Sequence, residues 1–299
     1  MPFTYEKIRY LGEDCIEITG FEGSVRSLTI PDRIEGLAVR SIGKHAFAGR
    51  KDLREAVLPA SVKRLCLFAF HNCAALRRMS LYDSVEDYYD GVIRQCTDLE
   101  EIEIRLGGQS YALVKDMLSD NDHAMSFHLL LPGEEIRLSF PEYALIASEN
   151  TMARTIQFAY EGGGYAYRNC VRKREIRFRE YDRLFSFMER DDASFAAVIA
   201  SDRLMFPHDL DEAAKRHYTQ FLTEHAEQAL ERFIRSGQID RVRLLTERGL
   251  ADSQACAKAL RIASELGETA ICAVLMESGR ETAGREHRRE AHTDGREAG

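Results

Sequence analysis

Apolar residues in the first third of the chain recur at a fixed interval. Val39, Ile42, Ala46, Phe47, Leu53, Ala56 and Leu58 are matched 23 residues later by Val62, Leu65, Ala69, Phe70, Leu76, Met79 and Leu81. A second step of 23 reaches Val85, Tyr88, Val92, Ile93, Leu99, Ile102 and Ile104, without a gap. A unit this short cannot bury its apolar side alone, so the period predicts units stacked into a solenoid. Each unit ends in an L-x-x-φ-x-φ segment (φ apolar), which predicts a short strand of a parallel sheet. In the second unit Leu76, Met79 and Leu81 point inward and Arg78 and Ser80 outward. The equivalent outward positions are Glu55 and Val57, then Glu101 and Glu103. These six residues form a candidate partner-binding face; a plain solvated sheet face is the alternative.

The unit resembles the BspA-like leucine-rich repeats of bacteria, which read roughly I-x3-A-F-x2-C-x2-L-x2-I-x-L-P. Ile42, Ala46-Phe47, Leu53 and Leu58-Pro59 fit this pattern, as do Leu65, Ala69-Phe70, Cys73, Leu76 and Leu81. The third unit keeps Cys96 and Leu99 but has Val92-Ile93 in place of Ala-Phe. The resemblance implies a leucine-rich solenoid and assigns no chemistry. Residues 3–35 read as its N-terminal cap: Cys15-Ile16-Glu17-Ile18 alternates like a strand, and Phe21-Glu22-Gly23 reads as a turn. Leu28-Thr29-Ile30-Pro31 mirrors Val57-Leu58-Pro59 in a longer first unit. Terminal units are often atypical because they cover an open edge.

Beyond the repeats the pattern predicts a helix over Tyr111–Leu118, a polar turn at Asp120–Asp122 and a hairpin of Ser126–Leu131 with Glu135–Phe140 around Pro132-Gly133. From Phe140 the chain resembles the region that follows such repeats in cytoplasmic-type leucine-rich-repeat proteins of anaerobic gut bacteria. The residues are Phe140-Pro141-Glu142-Tyr143, Glu149-Asn150, Ala153-Arg154, Gly162-Gly163-Gly164-Tyr165, Tyr167-Arg168, Cys170, Tyr181-Asp182 and Phe185. Glu161–Gly164 reads as a turn between strands Thr155–Tyr160 and Tyr165–Val171. It lacks the Lys-Ser/Thr of a phosphate loop. Ile176 and Phe178 alternate with Arg177 and Arg179, predicting a strand with one basic face beside Arg172-Lys173-Arg174.

Helical spacing then takes over. Helices are predicted over Asp182–Arg190 and Ala193–Met205, stopped by Pro207. From Leu210 to Ile234 apolar residues recur every three or four positions, an amphipathic helix or a joined pair that Asp209 or Asp211 would cap. Gly237, Leu245 and Gly249 recur 30 residues on as Gly267, Leu275 and Gly279. This resembles ankyrin-type helical pairs, without the T-P-L-H turn. After Arg280 no large apolar side chain remains, which predicts a disordered tail.

Composition narrows the function classes. The chain has 299 residues, a net charge of −8 and 44% hydrophobic content. The acidic balance argues against a dedicated nucleic-acid binder. The first residues, with Glu6, Lys7, Arg9, Glu13 and Asp14, contain no signal-peptide core, and no apolar run is long enough for a membrane helix. A cytoplasmic location is expected. Seven cysteines form no CxxC pair, and the histidines form no metal pattern, so no metal and no cofactor are expected. Cys73 and Cys96 share one repeat position and should pack as small hydrophobes.

The expected fold is α+β: a leucine-rich-repeat solenoid with its cap (1–106), an α/β connecting and capping region (107–180), a helical domain with ankyrin-like pairs (181–279) and a tail (280–299). The expected function is non-enzymatic: a scaffold or adaptor that binds an unknown protein partner through repeat surfaces. Two alternatives stand beside it. One is an enzyme or anion-binding site within residues 140–205, with Glu142, Tyr143, Arg154, Tyr167 and Arg168 as its polar residues. The other is a cell-surface adhesin.

Overall fold

The computed structural model describes residues 2–108, 110–150 and 155–278, with backbone alone at 147–150 and 155–158. Arg154, Gly279 and the tail from Arg280 lie outside the described residues. The chain divides into two compact units, Met1–Phe187 and Met188–Gly299.

The first unit is a solenoid whose turns each contribute to two sheets. One sheet contains β1 (Phe3–Tyr10), β2 (Glu13–Phe21), β5 (Leu37–Ile42), β7 (Arg64–Leu65) and β9 (Asp87–Tyr88), with β4 (Arg33–Ile34) against β5. The other runs β12-β11-β10-β8-β6-β3, formed by β3 (Ser27–Thr29), β6 (Glu55–Val57), β8 (Arg78–Tyr82), β10 (Glu101–Arg105), β11 (Met125–Leu131) and β12 (Glu134–Phe140). The L-x-x-φ-x-φ strands are β6, β8 and β10, paired in parallel at the predicted register. The strands β5, β7 and β9 were not foreseen: β7 and β9 are two residues each, too short to show an alternating pattern, and Val39 and Ile42 of β5 were read only as repeat positions. The hairpin β11–β12 continues the second sheet, β11 lying parallel to β10.

Between the sheets the repeat positions are closed to solvent. Phe47, Leu53, Leu65, Phe70, Leu76, Met79, Leu81, Ile93, Leu99, Ile102 and Ile104 are all buried. The Phe47 and Phe70 rings stack at 5.0 Å, and the substituted Val92-Ile93 pair fills the same place in the next turn. Cys73 Sγ donates to Phe47 O and Cys96 Sγ to Phe70 O, both at 3.1 Å, so the thiols join neighbouring turns.

The tight turns explain another sequence regularity. His45, Phe68 and Gly91 all have positive φ (56°, 59° and 72°), as do Gly49, Asn72 and Gln95. Each set repeats at the solenoid period, so one left-handed corner is imposed on whatever residue stands there. At Gly91 the corner also leaves no room: a Cβ would meet the Phe68 ring at 2.4 Å. Gly91→Ala combines that clash with about 1–2 kcal/mol of left-handed strain. It should lower the thermal midpoint by several degrees, whereas Gly49→Ala, in open space, should show the strain alone.

The first turn is held by Arg50 and Asp52. Arg50 donates to Phe21 O and Gly23 O, and Asp52 accepts from Val25 N, Ser24 Oγ and Arg50. The Arg50 hydrogen bond is the main reason the Asp52 carboxyl is held well below the ordinary carboxylate range. A depressed folded-state pKa adds stability that is present above the unfolded value and disappears as pH falls through the folded one. Stability should therefore drop progressively below about pH 4, and the part due to this carboxylate should vanish in Asp52→Asn, as read by denaturation midpoints across pH.

The last turn has no following turn to bond to, and α1 (Ala112–Asp120) supplies a substitute. Along the stack Phe68 N donates to Asp90 O and Phe70 N to Val92 O. At the end, Gly91 N and Ile93 N donate instead to the two Asp120 carboxylate oxygens, at 3.0 and 3.2 Å. Asn121 Nδ2 donates to Ile93 O at 2.9 Å, taking the role the cysteine thiols play one and two turns earlier. The polar turn expected at Asp120–Asp122 is thus partly buried and closes the solenoid. Tyr181 protects the sheet edge in a similar way, its hydroxyl accepting from Ser139 N and donating to Ser139 O on β12. Unpaired edges invite association, and Tyr181 answers this one at Ser139.

Three expectations after the solenoid are corrected. In place of the strand Tyr165–Val171 the structure has a helix, α2 (Gly164–Asn169), followed by a turn at Cys170. Gly164, Tyr167, Arg168 and Val171 are buried together, the three-and-four spacing of a helix, and the aromatic β-formers masked it in so short a window. The basic strand is also replaced. Val171 and Ile176 form one isolated bridge, and Phe178 opens α3 (Phe178–Arg183), burying Phe178, Tyr181 and Asp182 on one face. The segment Asp182–Arg190 is not one helix: α3 ends and α4 (Phe185–Asp191) follows. The remaining strands of the first unit, β13 (Ala144–Asn150) and β14 (Thr155–Glu161), form a separate antiparallel ribbon.

The second unit is helical: α5 (Ala193–Met205), α6 (Glu212–Glu224), α7 (Ala226–Arg235), α8 (Ile239–Glu247), α9 (Ser253–Leu266) and helical backbone over 269–278. The long amphipathic pattern is the joined pair α6–α7. Asp211 caps α6 through Ala214 N at 2.8 Å, and Asp192 and Asp252 cap α5 and α9 in the same way. Gly237, Gly249 and Gly267 adopt left-handed φ at the helix ends, which is why they recur. A buried ion pair, Arg241 to Asp202 at 2.6 Å, joins α8 to α5.

Candidate binding face

Parallel pairing in register places the six sequence-predicted residues in two rows across the second sheet. Glu55, Arg78 and Glu101 stand side by side, as do Val57, Ser80 and Glu103. β11 extends the rows with Ser126 and His128. The inward neighbours Ala56, Met79, Leu81, Ile102 and Ile104 are buried, which fixes the other parity toward solvent.

The first row is a ladder of alternating charge. Arg78 bridges Glu55 at 3.5 Å and Glu101 at 3.4 Å, and Arg137 of β12 closes on the far side of Glu101. In the second row Ser80 Oγ donates to Glu103 at 2.9 Å, and Arg105 pairs with Glu103 at 2.8 Å and donates to Ser80 Oγ. Val57 stays 37% exposed among them. Exposed pairs of this kind add little stability, roughly 0–1 kcal/mol each. Their effect is to hold long side chains in a fixed pattern, a property that serves recognition. Arg137 and Arg105 belong to the ladder but were missed, because they lie outside the L-x-x-φ-x-φ segments that defined it.

The residues named between 140 and 205 have a different arrangement. Arg168 is buried, and its guanidinium donates to Pro141 O, to Gly164 O at 3.2 Å and to His123 O at 2.6 Å, beneath the Tyr143 ring. Burial lowers its pKa to about 10. It fastens the start of α2 to the end of β12, where a Cβ on Gly164 would lie 2.2 Å from Pro141 O. Tyr167 is fully buried against Tyr181, with ring centroids 4.7 Å apart, while Glu142 is exposed and Tyr143 half-exposed. The structure brings Tyr143, Tyr167 and Arg168 together around a packed core. Burial pushes the nearby Cys170 thiol up to about 12, so it remains protonated at neutral pH. Among the described residues no group of His, Cys, Asp and Glu is placed to hold a metal ion. Among them, too, no helix is long and apolar enough to cross a membrane.

Comparison with known proteins agrees with the solenoid. The model of the BspA type leucine-rich repeat region matches residues 16–112 in six copies. No curated protein matches the chain. Among solved structures, a leucine-rich repeat protein from Bacteroides ovatus is 26% identical, over 35% of this chain and 30% of that one, with a TM-score of 0.31. A T. pallidum leucine-rich repeat protein is 21% identical over 34% and 68% of the two chains, with a TM-score of 0.25. A leucine-rich cell surface protein from Faecalibacterium prausnitzii is 17% identical over 34% and 43%, also with a TM-score of 0.25. The chain thus spans under a third of the length of the first of these. Residues 16–112 are similar to the BspA type leucine-rich repeat region, a repeat architecture suited to protein interaction or surface binding.

Proposed function

We propose that this protein is a non-enzymatic adaptor that binds a protein partner through the ladder face of its solenoid. The observation that carries the reading is the in-register row Glu55–Arg78–Glu101, with Arg137 reaching Glu101 from the neighbouring row, on an open sheet face. Solenoids use such extended faces for binding, and fixed alternating charge selects among partners more than it adds affinity. The paired helices from Glu212 onward, with left-handed glycines at their ends, act in this reading as a second, ankyrin-like interaction module. A cytoplasmic site of action fits the Cys73 and Cys96 thiols, whose hydrogen bonds to Phe47 and Phe70 require the reduced form.

Affinity capture from a lysate of the source cell tests this. The bait is the wild type beside Glu55→Arg/Arg78→Glu/Glu101→Arg/Arg137→Glu, which reverses every charge while keeping each pair. The expected result is a stoichiometric partner bound by the wild type and lost from a variant of unchanged melting temperature. A partner held equally by both removes the ladder from the binding site.

A further inference from the structure

A second surface of the first unit has the properties of a docking site, and it shares no residue with the ladder. Arg172, Lys173 and Arg174 lie exposed on a turn closed by Arg172 N donating to Glu175 O at 2.8 Å and by the Val171–Ile176 bridge. Among the described residues these three side chains make no ion pair or hydrogen bond, whereas the adjacent Arg177 is tied to Glu175 and Glu180. The turn is pinned, since Lys173 O accepts from Tyr111 N at 2.9 Å at the start of α1. One helical turn further on, Lys115 donates to Arg168 O at 3.3 Å. Its pKa is lowered by burial and then by the charge of Arg172. Asp116, next to Lys115 on α1, feels the charges of Lys173 and Lys115, so one carboxylate partly offsets this cluster.

An aromatic platform adjoins these cations through α2, which carries Tyr165 and whose Arg168 O accepts from Lys115, while Arg172 follows the end of the same helix. Tyr160 and Tyr165 stack at 3.6 Å and 6°, and Tyr143 leans on both at 5.9 and 5.8 Å. Tyr160 is 47% exposed and Leu145 53%. They face each other across the ribbon β13–β14, so both side chains lie on one face. That ribbon pairs with neither large sheet.

We propose that the basic turn Arg172–Arg174 and the Tyr143/Tyr160/Tyr165 platform form a docking surface for an acidic peptide segment of a partner protein, one carrying an apolar anchor residue. The unpaired cations complement carboxylates, and Leu145 beside Tyr160 offers an aliphatic and aromatic seat for the anchor. Single-stranded nucleic acid also uses cations and aromatic faces. Here, however, Tyr160 and Tyr165 cover one face of each other, and Leu145 gives a base nothing to stack on.

Fluorescence anisotropy with the full chain tests the proposal. The probe is a short labelled peptide of Glu residues around a central Leu-Tyr pair. A Lys-for-Glu version and a labelled oligouridylate serve as comparators. The expected result is saturable binding of the acidic probe that weakens with salt. Arg172→Ser/Lys173→Ser/Arg174→Ser should weaken it roughly tenfold and flatten the salt dependence. Tyr160→Ser should weaken it while leaving the salt dependence in place. Absence of saturable binding, indifference to both variants, or tighter binding of the oligouridylate would overturn the proposal. The ladder-reversed variant should bind the probe like the wild type, so failure of the ladder reading and failure of this one are distinguishable.

Discussion

Asp120→Ala is expected to destabilise the first unit by about 4 kcal/mol. The side chain is 5% exposed and accepts from Gly91 N, Ile93 N and the Tyr88 hydroxyl, the last at 2.6 Å. Removing it leaves two buried backbone donors and one partly buried hydroxyl without their acceptor. Each unsatisfied group costs roughly 1–3 kcal/mol. Burial, reinforced by the Asp120 charge, raises the Tyr88 pKa well above its ordinary value, so Tyr88 remains a donor throughout the neutral range. Asp120→Asn keeps one oxygen acceptor and should recover part of the loss. Urea denaturation gives the magnitude, and amide exchange gives the place: Gly91 and Ile93 should lose protection first. A variant as stable as the wild type would mean that the last turn is closed by something other than this carboxylate.

Phe70→Ala should cost about 3–5 kcal/mol, the range for deleting a large buried side chain and leaving a cavity. Phe70 is 0% exposed, stacks on Phe47 and donates its backbone N–H to Val92 O in the next turn. The substitution leaves the backbone ladder intact and removes the ring, so the loss reads packing alone. Phe70→Leu, which refills most of the volume, should recover over half of it. An unchanged midpoint for Phe70→Ala would show that the repeat register is wrong. Phe68, two residues earlier, is the contrast. It is only partly buried and holds a left-handed φ, so its replacement by Gly removes backbone strain as well as ring contacts and should cost less.

What the sequence shows of this fold depends on how many residues repeat a pattern. The turns from Val39 to Ile104 were legible because seven positions recur three times and nearly all are set by burial, Ala46 and Tyr88 being partly buried. The outward rows followed from the same parity. The closing residues were not legible: Asp120 and Asn121 replace backbone groups of a turn that does not exist, and one polar dipeptide carries no periodic signal. The two-residue strands β7 and β9 of the first sheet were missed for want of length. At Tyr165–Val171 and Ile176–Arg179, three or four residues fit a strand and a helix equally well. The partners that decide the matter, Pro141 against Gly164 and Ser139 against Tyr181, lie 23 and 42 residues away in the chain. The pairing of Glu55, Arg78 and Glu101 was implicit in the period, while the involvement of Arg137 required the hairpin to fold back beside β11.

The charge ladder and the basic turn lie on one unit and differ in kind. In the ladder every charge is already answered within the sheet, so a partner reads a pattern. On the turn Arg172, Lys173 and Arg174 make no ion pair among the described residues and Asp116 offsets Lys173 only in part, so in the proposed reading a partner supplies the charge. In the proposed reading, two such surfaces would hold two partners of different chemistry.

Hydrogen–deuterium exchange of the captured complex against the free protein tests the central claim most directly. Slowed exchange on binding at β6, β8 and β10, with the helices of the second unit unchanged, is the predicted result. Protection confined to the helices, with Glu55–Val57, Arg78–Ser80 and Glu101–Glu103 exchanging as in the free protein, would contradict it.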